Sequence, residues 1–442
     1  MAVHLSEHFT YQKLFKAVMP SICMMVFTSI YSIVDGLFVS NFVGTTAFAA
    51  VNFVMPVIMA LGAIGFMFGA GGSALVAKTL GEGNREQANK IFSMVVYFNL
   101  LVGVMLSIAG NFLIEPVAKA MGATPEMLPD CALYGRILVG VVFIFMTQNI
   151  FQSFFIVAEK PMLGFLITLL AGVVNMILDA TLVAGLHLGL LGAALATAIS
   201  YGVGGVVPVI YFARNNQSLL RLVKTKFDFK AIGQSCLNGS SELLSNISAS
   251  VVGVLFNMQL LKFAGENGVA AYGVIMYASF IFAAIFFGYC IGIAPIIGYH
   301  YGAENHQELK NLLKKSLLIV CVAGLVMTGL TESLARPLAS IFVGYDATLL
   351  QMTTVGMRLF SLSFLVCGIN FFTSSFFTAL NNGLISAVIS FARTLVFQIT
   401  CVLVLPVFFG LNGIWLSMIG AELLATGVSV ICILTQKRRY HY

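Results

Sequence analysis

The sequence predicts an all-α membrane protein whose twelve transmembrane helices form two six-helix lobes related by a parallel internal repeat. Three observations lead there. Hydrophobic residues make up 59% of the 442 and charged residues only 9%, too little charge to cover a soluble domain of this size. The apolar residues fall in many runs of the ~20 residues that a helix needs to cross a bilayer. Finally, the chain repeats itself at half its length. Asn41-Phe42-Val43-Gly44 returns as Lys262-Phe263-Ala264-Gly265, Gly81-Glu82-Gly83-Asn84 as Gly302-Ala303-Glu304-Asn305, and Gly189-Leu190-Leu191-Gly192 as Gly410-Leu411-Asn412-Gly413.

Taken in order, the chain begins with His4, Glu7, Lys13 and Lys16. It shows no short apolar core with a small-residue cleavage site, so no removable signal peptide is expected. Spans follow near 14–40, 46–77, 91–114, 131–157, 162–186 and 189–213. The segment 214–230 is the longest polar stretch between spans and reads as a linker. Six further spans are expected near 231–261, 268–299, 311–331, 347–378, 383–408 and 411–436. An N-terminal lobe (1–213), a linker (214–230) and a C-terminal lobe (231–442) result. Each half holds an even number of spans, so both enter the membrane in the same sense, which makes the repeat a parallel one.

The basic residues orient the chain. With the N-terminus in the cytoplasm, most of the 23 Lys and Arg residues fall on the cytoplasmic side. Only Lys119, Arg136, Lys262 and Arg336 fall outside, and Arg358 and Arg393 lie within spans. The positive-inside rule therefore places both termini in the cytoplasm of a plasma-membrane protein. The net charge of +6 then reports topology and anionic lipid rather than a nucleic-acid partner. Cysteines lie mostly within apolar runs and form no CxxC pair, so neither a metal site nor a disulfide framework is expected.

Ionisable groups at bilayer depth carry the functional signal, because each costs about 2.5–3.5 kcal/mol to insert. In the second lobe Glu242, Arg358, Arg393 and Glu422 fall at mid-depth. Two acids and two bases at one level suit an internal ion-pair network, with gating or substrate binding as the alternative. In the first lobe Asp35 and Asp179 have no Lys or Arg in any of the spans around them. Asn175 precedes Asp179 by four residues and shares its helix face, and Thr197 enters the next span. All four are expected roughly 8–16 Å from the outer ends of their helices. Two carboxylates, an amide oxygen and a hydroxyl without a resident cation suit a site that takes up protons or a hard cation such as Na⁺. Pro20 and Gly36 flag span 1 as a possible hinge.

The stretch Ile33-Val34-Asp35-Gly36-Leu37-Phe38-Val39 resembles span 1 of the multidrug and toxic compound extrusion (MATE) family. The resemblance continues through Gly44, Ala47, Ala49 and Ala50, Leu80-Gly81-Glu82-Gly83-Asn84, Asn175 to Asp179, Gly189 to Ala194, Phe256-Asn257 and Tyr301-Gly302-Ala303. It leans toward the bacterial MepA-like and DinF-like branches. It implies two six-helix lobes, export of organic cations or drugs, and coupling to inward H⁺ or Na⁺. It also implies that Asp35, Asn175, Asp179 and Thr197 form the cation site. Some relatives place acids in the second lobe instead. Here Glu242 could correspond, but Arg358 stands where such relatives have an Asp.

The expected activity is an H⁺- or Na⁺-coupled antiporter of amphipathic cations, working by alternating access as a monomer among membrane lipids, without a cofactor. The 38 Phe and 20 Met residues suit an adaptable apolar cleft. A flippase for lipid-linked oligosaccharide is the alternative; its pyrophosphate headgroup would need Arg or Lys in the cleft. A channel is disfavoured by the lack of a filter motif. An enzyme is disfavoured by the lack of a nucleophile triad, metal cluster or phosphate loop.

Overall fold

The computed structural model describes residues 4–442, without the side chain of Thr45; the first three residues of the expected N-terminal lobe lie outside it. The described chain is mostly helical, without strands. Its first membrane helices are α1 (Tyr11–Val43), α2 (Thr46–Gly81), α3 (Arg85–Ala120) and α4 (Leu128–Gly140 continued by Val142–Val157). They are followed by α5 (Pro161–Gly185) and α6 (Gly189–Ala213). Helix then runs without a loop from Phe229 to Gly302, 74 residues, about 110 Å at 1.5 Å per residue and far too long for one crossing. It turns back at Gly265, whose φ of 62° and ψ of −153° are open to glycine. That single residue divides α7 (229–264) from α8 (266–302). The remaining helices are α9 (His306–Val343), α10 (Ala347–Ser361 continued by Phe364–Ala379), α11 (Gly383–Phe409) and α12 (Leu411–Tyr440).

The repeat seen in the sequence is a repeat of backbone geometry. Left-handed glycines end α1 at Gly44 and α7 at Gly265, and start α6 at Gly189 and α12 at Gly410. Asn84 caps α3 by accepting from Gln87 N at 3.0 Å. Asn305 caps α9 by accepting from Glu308 N at 3.1 Å. Even the breaks correspond, since α4 bends by 54° at Val141 and α10 by 46° near Ser363.

The halves pack against each other at the end of the bundle where both chain termini lie. There α2 meets α8 so closely that a Cβ on Gly81 would overlap the Tyr299 carbonyl, and one on Gly302 the Lys78 carbonyl. These two contacts exchange under the repeat. Nearly three turns further along α2, Gly71 lies against Ser235 of α7, and Gly239 of α7 lies against Met67. The side-chain hydrogen bonds that cross between halves among the described residues also cluster at this end, at Phe9, Ala74, Glu308, Asn311, Lys315 and Asn381. Toward the opposite end Gly253 of α7 and Gly273 of α8 face open space. Among the described glycines, those that meet the backbone of the other half lie toward the termini end, which is closed, and none does so toward the other end.

The segment between α6 and α7 is extended and pinned to α3. Arg85 donates to the Ser218 and Leu219 carbonyls at 2.8 and 3.0 Å. Arg221 N donates to Asn89 Oδ1 at 2.7 Å and Val223 N to Ser93 Oγ at 2.8 Å.

Candidate functional site

Asp35 lies near the far end of α1 and Asp179 near the far end of α5, and the fold turns the two toward each other. Asp179 is completely buried, Asp35 is 8% exposed, and Asn175 and Thr197 are equally enclosed. The two carboxylates are immediate neighbours. One oxygen of Asp35, both of Asp179 and the amide oxygen of Asn175 are buried without a hydrogen-bond donor. Thr197 Oγ1 donates to the Ala193 carbonyl at 3.1 Å, which leaves its lone pairs to accept or ligate. No Lys, Arg or His forms an ion pair with either acid among the described residues. Buried acceptors facing acceptors are unfavourable unless something positive joins them. A proton or a hard, oxygen-seeking cation does so.

Local backbone geometry places these groups. α1 runs unbroken through Pro20, and its departure from α geometry falls beyond Asp35 and Gly36, in a π-helical turn at Val39–Val43. A second π-helical stretch, Asp179–Gly185, begins at the other acid. Such widened turns recur at functional positions in helices.

Four residues the sequence reading did not single out complete the site. Tyr31, Tyr134, Gln148 and Tyr201 are all buried. Tyr31 adjoins Gln148 and Tyr134 adjoins Thr197, both within electrostatic range of Asp35. Tyr201 carries Phe145 stacked on its ring at 4.5 Å. Tyr31 precedes Asp35 by four residues, and Tyr201 follows Thr197 by four, the spacing that had already joined Asn175 to Asp179. The two segments of α4 on either side of its break contribute Tyr134 and Gln148, both buried.

The four second-lobe charges do not form one network. Arg393 and Glu422 pair tightly, with Nη2 2.7 Å from Oε1 and Nε 2.8 Å from it. Asn370 Nδ2 donates to Glu422 Oε2 at 2.7 Å, Asn370 Oδ1 accepts from Ser429 Oγ at 2.8 Å, and the guanidinium lies 3.7 Å over the Phe371 ring. Arg358 instead meets Glu332 of α9 at 3.6 Å. Glu332 escaped the sequence reading because α9 runs on to Val343, past the span end expected at 331. Glu242 is half-buried and forms no ion pair among the described residues. Both arginines at bilayer depth are thus engaged by carboxylates, and neither offers the open cationic pocket that a pyrophosphate headgroup requires.

A two-lobed helical membrane bundle built on an internal repeat is an architecture shared by secondary transporters. The MatE family model matches the chain twice, over residues 20–181 and 243–404, once in each half. The chain belongs to the MatE family of multidrug export transporters and is a multi-pass membrane protein. It is 25% identical over 438 residues to the multidrug export protein MepA of Staphylococcus haemolyticus, covering 98% of this chain and 96% of that protein. It is 26% identical over 443 residues to MepA of Staphylococcus saprophyticus, with the same coverage. Among solved structures, a MATE transporter in complex with MaL6 superposes with a TM-score of 0.92 at 22% identity, over 100% of this chain and 98% of that one. An outward-facing multidrug resistance MATE transporter gives 0.91 at 22% identity, with the same coverage.

Proposed function

We propose that the chain is a secondary antiporter that exports amphipathic organic cations in exchange for inward H⁺ or Na⁺. Asp35, Asn175, Asp179 and Thr197 hold the coupling ion. The observation that carries this reading is the pair of adjacent buried carboxylates without a resident cation. The two lobes, 1–213 and 231–442, rock about the cleft between them, joined by the linker 214–230. The basic residues around the closed end favour a cytoplasmic position for it and for both termini in the plasma membrane, so the structure represents the outward-facing half of the cycle. In that state the site is loaded from outside, and its neutralisation favours the switch to inward opening. The protein works as a monomer, with lipid as its surroundings. Relatives named as multidrug export proteins support small-molecule cargo.

The test is ethidium efflux from proteoliposomes with the H⁺ and Na⁺ gradients imposed separately. One of the two gradients should drive efflux, and Asp35→Asn with Asp179→Asn should abolish it. Efflux driven by neither gradient, or gradient-driven efflux that survives the double substitution, would overturn the proposal.

A further inference from the structure

Residues 4–10, the described residues ahead of α1, do not trail into solvent. Leu5 N donates to Glu159 Oε1 at 2.7 Å, and His4 Nδ1 lies 2.7 Å from Glu159 Oε2. Glu159 sits in the turn between α4 and α5, in the first half. A few residues on, the same segment is held by the second half. Phe9 N donates to Glu308 Oε1 at 3.0 Å, and His8 Nδ1 lies 2.5 Å from Glu308 Oε2. The Phe9 carbonyl accepts from Lys315 Nζ at 2.5 Å and from Asn311 Nδ2 at 3.1 Å. The Phe9 ring is completely buried in the second-lobe core, edge-on to His300.

The catch is built rather than incidental. Glu308 is only 4% exposed, yet it is ionisable and spends its oxygens on the segment and on Asn311. Burial pushes its carboxyl up, but the Phe9 N–H, Asn311 and His8 outweigh burial and hold it below the usual carboxylate range. A buried carboxylate that satisfies a backbone N–H from another part of the chain is a specific, charge-assisted contact.

Chain geometry makes this contact sensitive to conformation. Thr10 alone separates Phe9 from the first residue of α1, which is a first-lobe helix. From Leu5 to Phe9 the chain reaches at most about 14 Å. If the lobes part at this end, Phe9 cannot stay in its second-lobe seat while α1 moves with the first lobe. We infer that Leu5–Phe9 is a latch across the closed end, with Glu308 as its catch, which must be released before the transporter can open on this side. This rests on the two-lobe alternating-access reading.

The experiment reads conformation only and needs neither cargo nor an ion gradient, so its failure is distinct from failure of the export proposal. The eight native cysteines are replaced, and nitroxides are placed on the exposed positions of Gln87→Cys and Lys310→Cys, one in each half. Pulsed electron–electron resonance in lipid nanodiscs then measures their separation. Wild type should show mainly the short, closed-end distance. Glu308→Gln and Phe9→Ala should each raise the ratio of opened to closed populations at least tenfold, about 1.4 kcal/mol. Glu159→Gln loosens only the hold within the first half and should leave the ratio within twofold. Should Phe9→Ala misfold, the conservative Glu308→Gln decides. Distributions for Glu308→Gln that match wild type, or an equal response to Glu159→Gln, would overturn the latch.

Discussion

Replacing Asp179 by Asn removes one of two adjacent carboxylates while leaving the size of the side chain almost unchanged. Two like charges about 4 Å apart repel by about 4 kcal/mol at an effective dielectric near 20. On the proposed reading, that repulsion is what a bound cation would relieve. Removing it takes away the same ~4 kcal/mol of preference for the cation-loaded state, close to a thousandfold in affinity at ~1.4 kcal/mol per tenfold. The assay is ethidium efflux from proteoliposomes as a function of the driving-ion concentration. For Asp179→Asn the half-saturating concentration should rise by about three orders of magnitude, which over any practical range reads as uncoupled protein. Asp35→Asn should act in the same direction, and the double variant should add little, because either single change already ends the repulsion. Ethidium binding without a gradient should be kept within a few-fold, since the acids are enclosed inside one lobe. A half-saturation within about tenfold of wild type in Asp179→Asn would refute the electrostatic argument.

The second-lobe pair should behave oppositely, as structure rather than machinery. Glu422→Gln strands the buried Arg393 and should lower stability by about 3–5 kcal/mol in thermal unfolding, whereas an apolar replacement of both residues should recover most of it. Gly81→Ala and Gly302→Ala should hinder closure of the termini end to the same degree, because their contacts exchange under the repeat. Transport should fall by at least about tenfold in each, with the fold unchanged by circular dichroism; unequal effects would argue against a symmetric interface. The hold of His4 on Glu159 depends on pH. The Glu159 hydrogen bond and then its charge hold His4 above its usual 6.5, with Glu7 adding to this and Lys160 and slight burial opposing it. A raised value means that the contact is strongest below 6.5 and is lost as pH rises through the folded-state value. Hydrogen exchange at the Leu5 amide, corrected for intrinsic rate, should therefore be slower at about pH 6 than at about pH 8.5. Equal protection would show that His4 contributes nothing.

Much of this architecture was legible because it rests on signals that survive in one dimension. Apolar runs of spanning length mark the crossings. The turns at Gly44, Gly189, Gly265 and Gly410 need backbone conformations that glycine tolerates, so the repeat stands out most clearly there. Asp35 and Asp179 were legible because charge at bilayer depth is expensive and therefore rare. Tyr31, Tyr134, Gln148 and Tyr201 were not, because an aromatic or amide inside an apolar span has an ordinary packing explanation and draws no notice until its neighbour is known. The pairing of Arg358 with Glu332 was hidden for a different reason. Helix ends are set by capping and packing rather than by the apolar run, and α9 continues well beyond its own. The N-terminal segment carried no signal at all, since polar residues ahead of a first span read as a solvated tail.

The contrast between the halves bears on how such a molecule could take directional work from an ion gradient. Both halves share a scaffold down to the positions of their left-handed turns, and each places carboxylates within its membrane helices. In the second half the fully buried carboxylate is matched by Arg393, whose guanidinium lies over an aromatic face, and by a hydrogen bond from Asn370. Its charge is already balanced, so an arriving cation would gain little there. In the first half the oxygens of Asp35, Asp179 and Asn175 are left without donors, beside π-helical turns that begin at or just after the acids. On the proposed reading, cation uptake would change the electrostatics of one lobe only, next to helix segments whose hydrogen bonding departs from the regular ladder. If both lobes were self-neutralised, the gradient would have nothing to act on. If both were open acceptors, the closed end would have to hold against repulsion on both sides of the cleft. One responsive lobe packed against one balanced lobe gives the ion a defined element to move against a defined support.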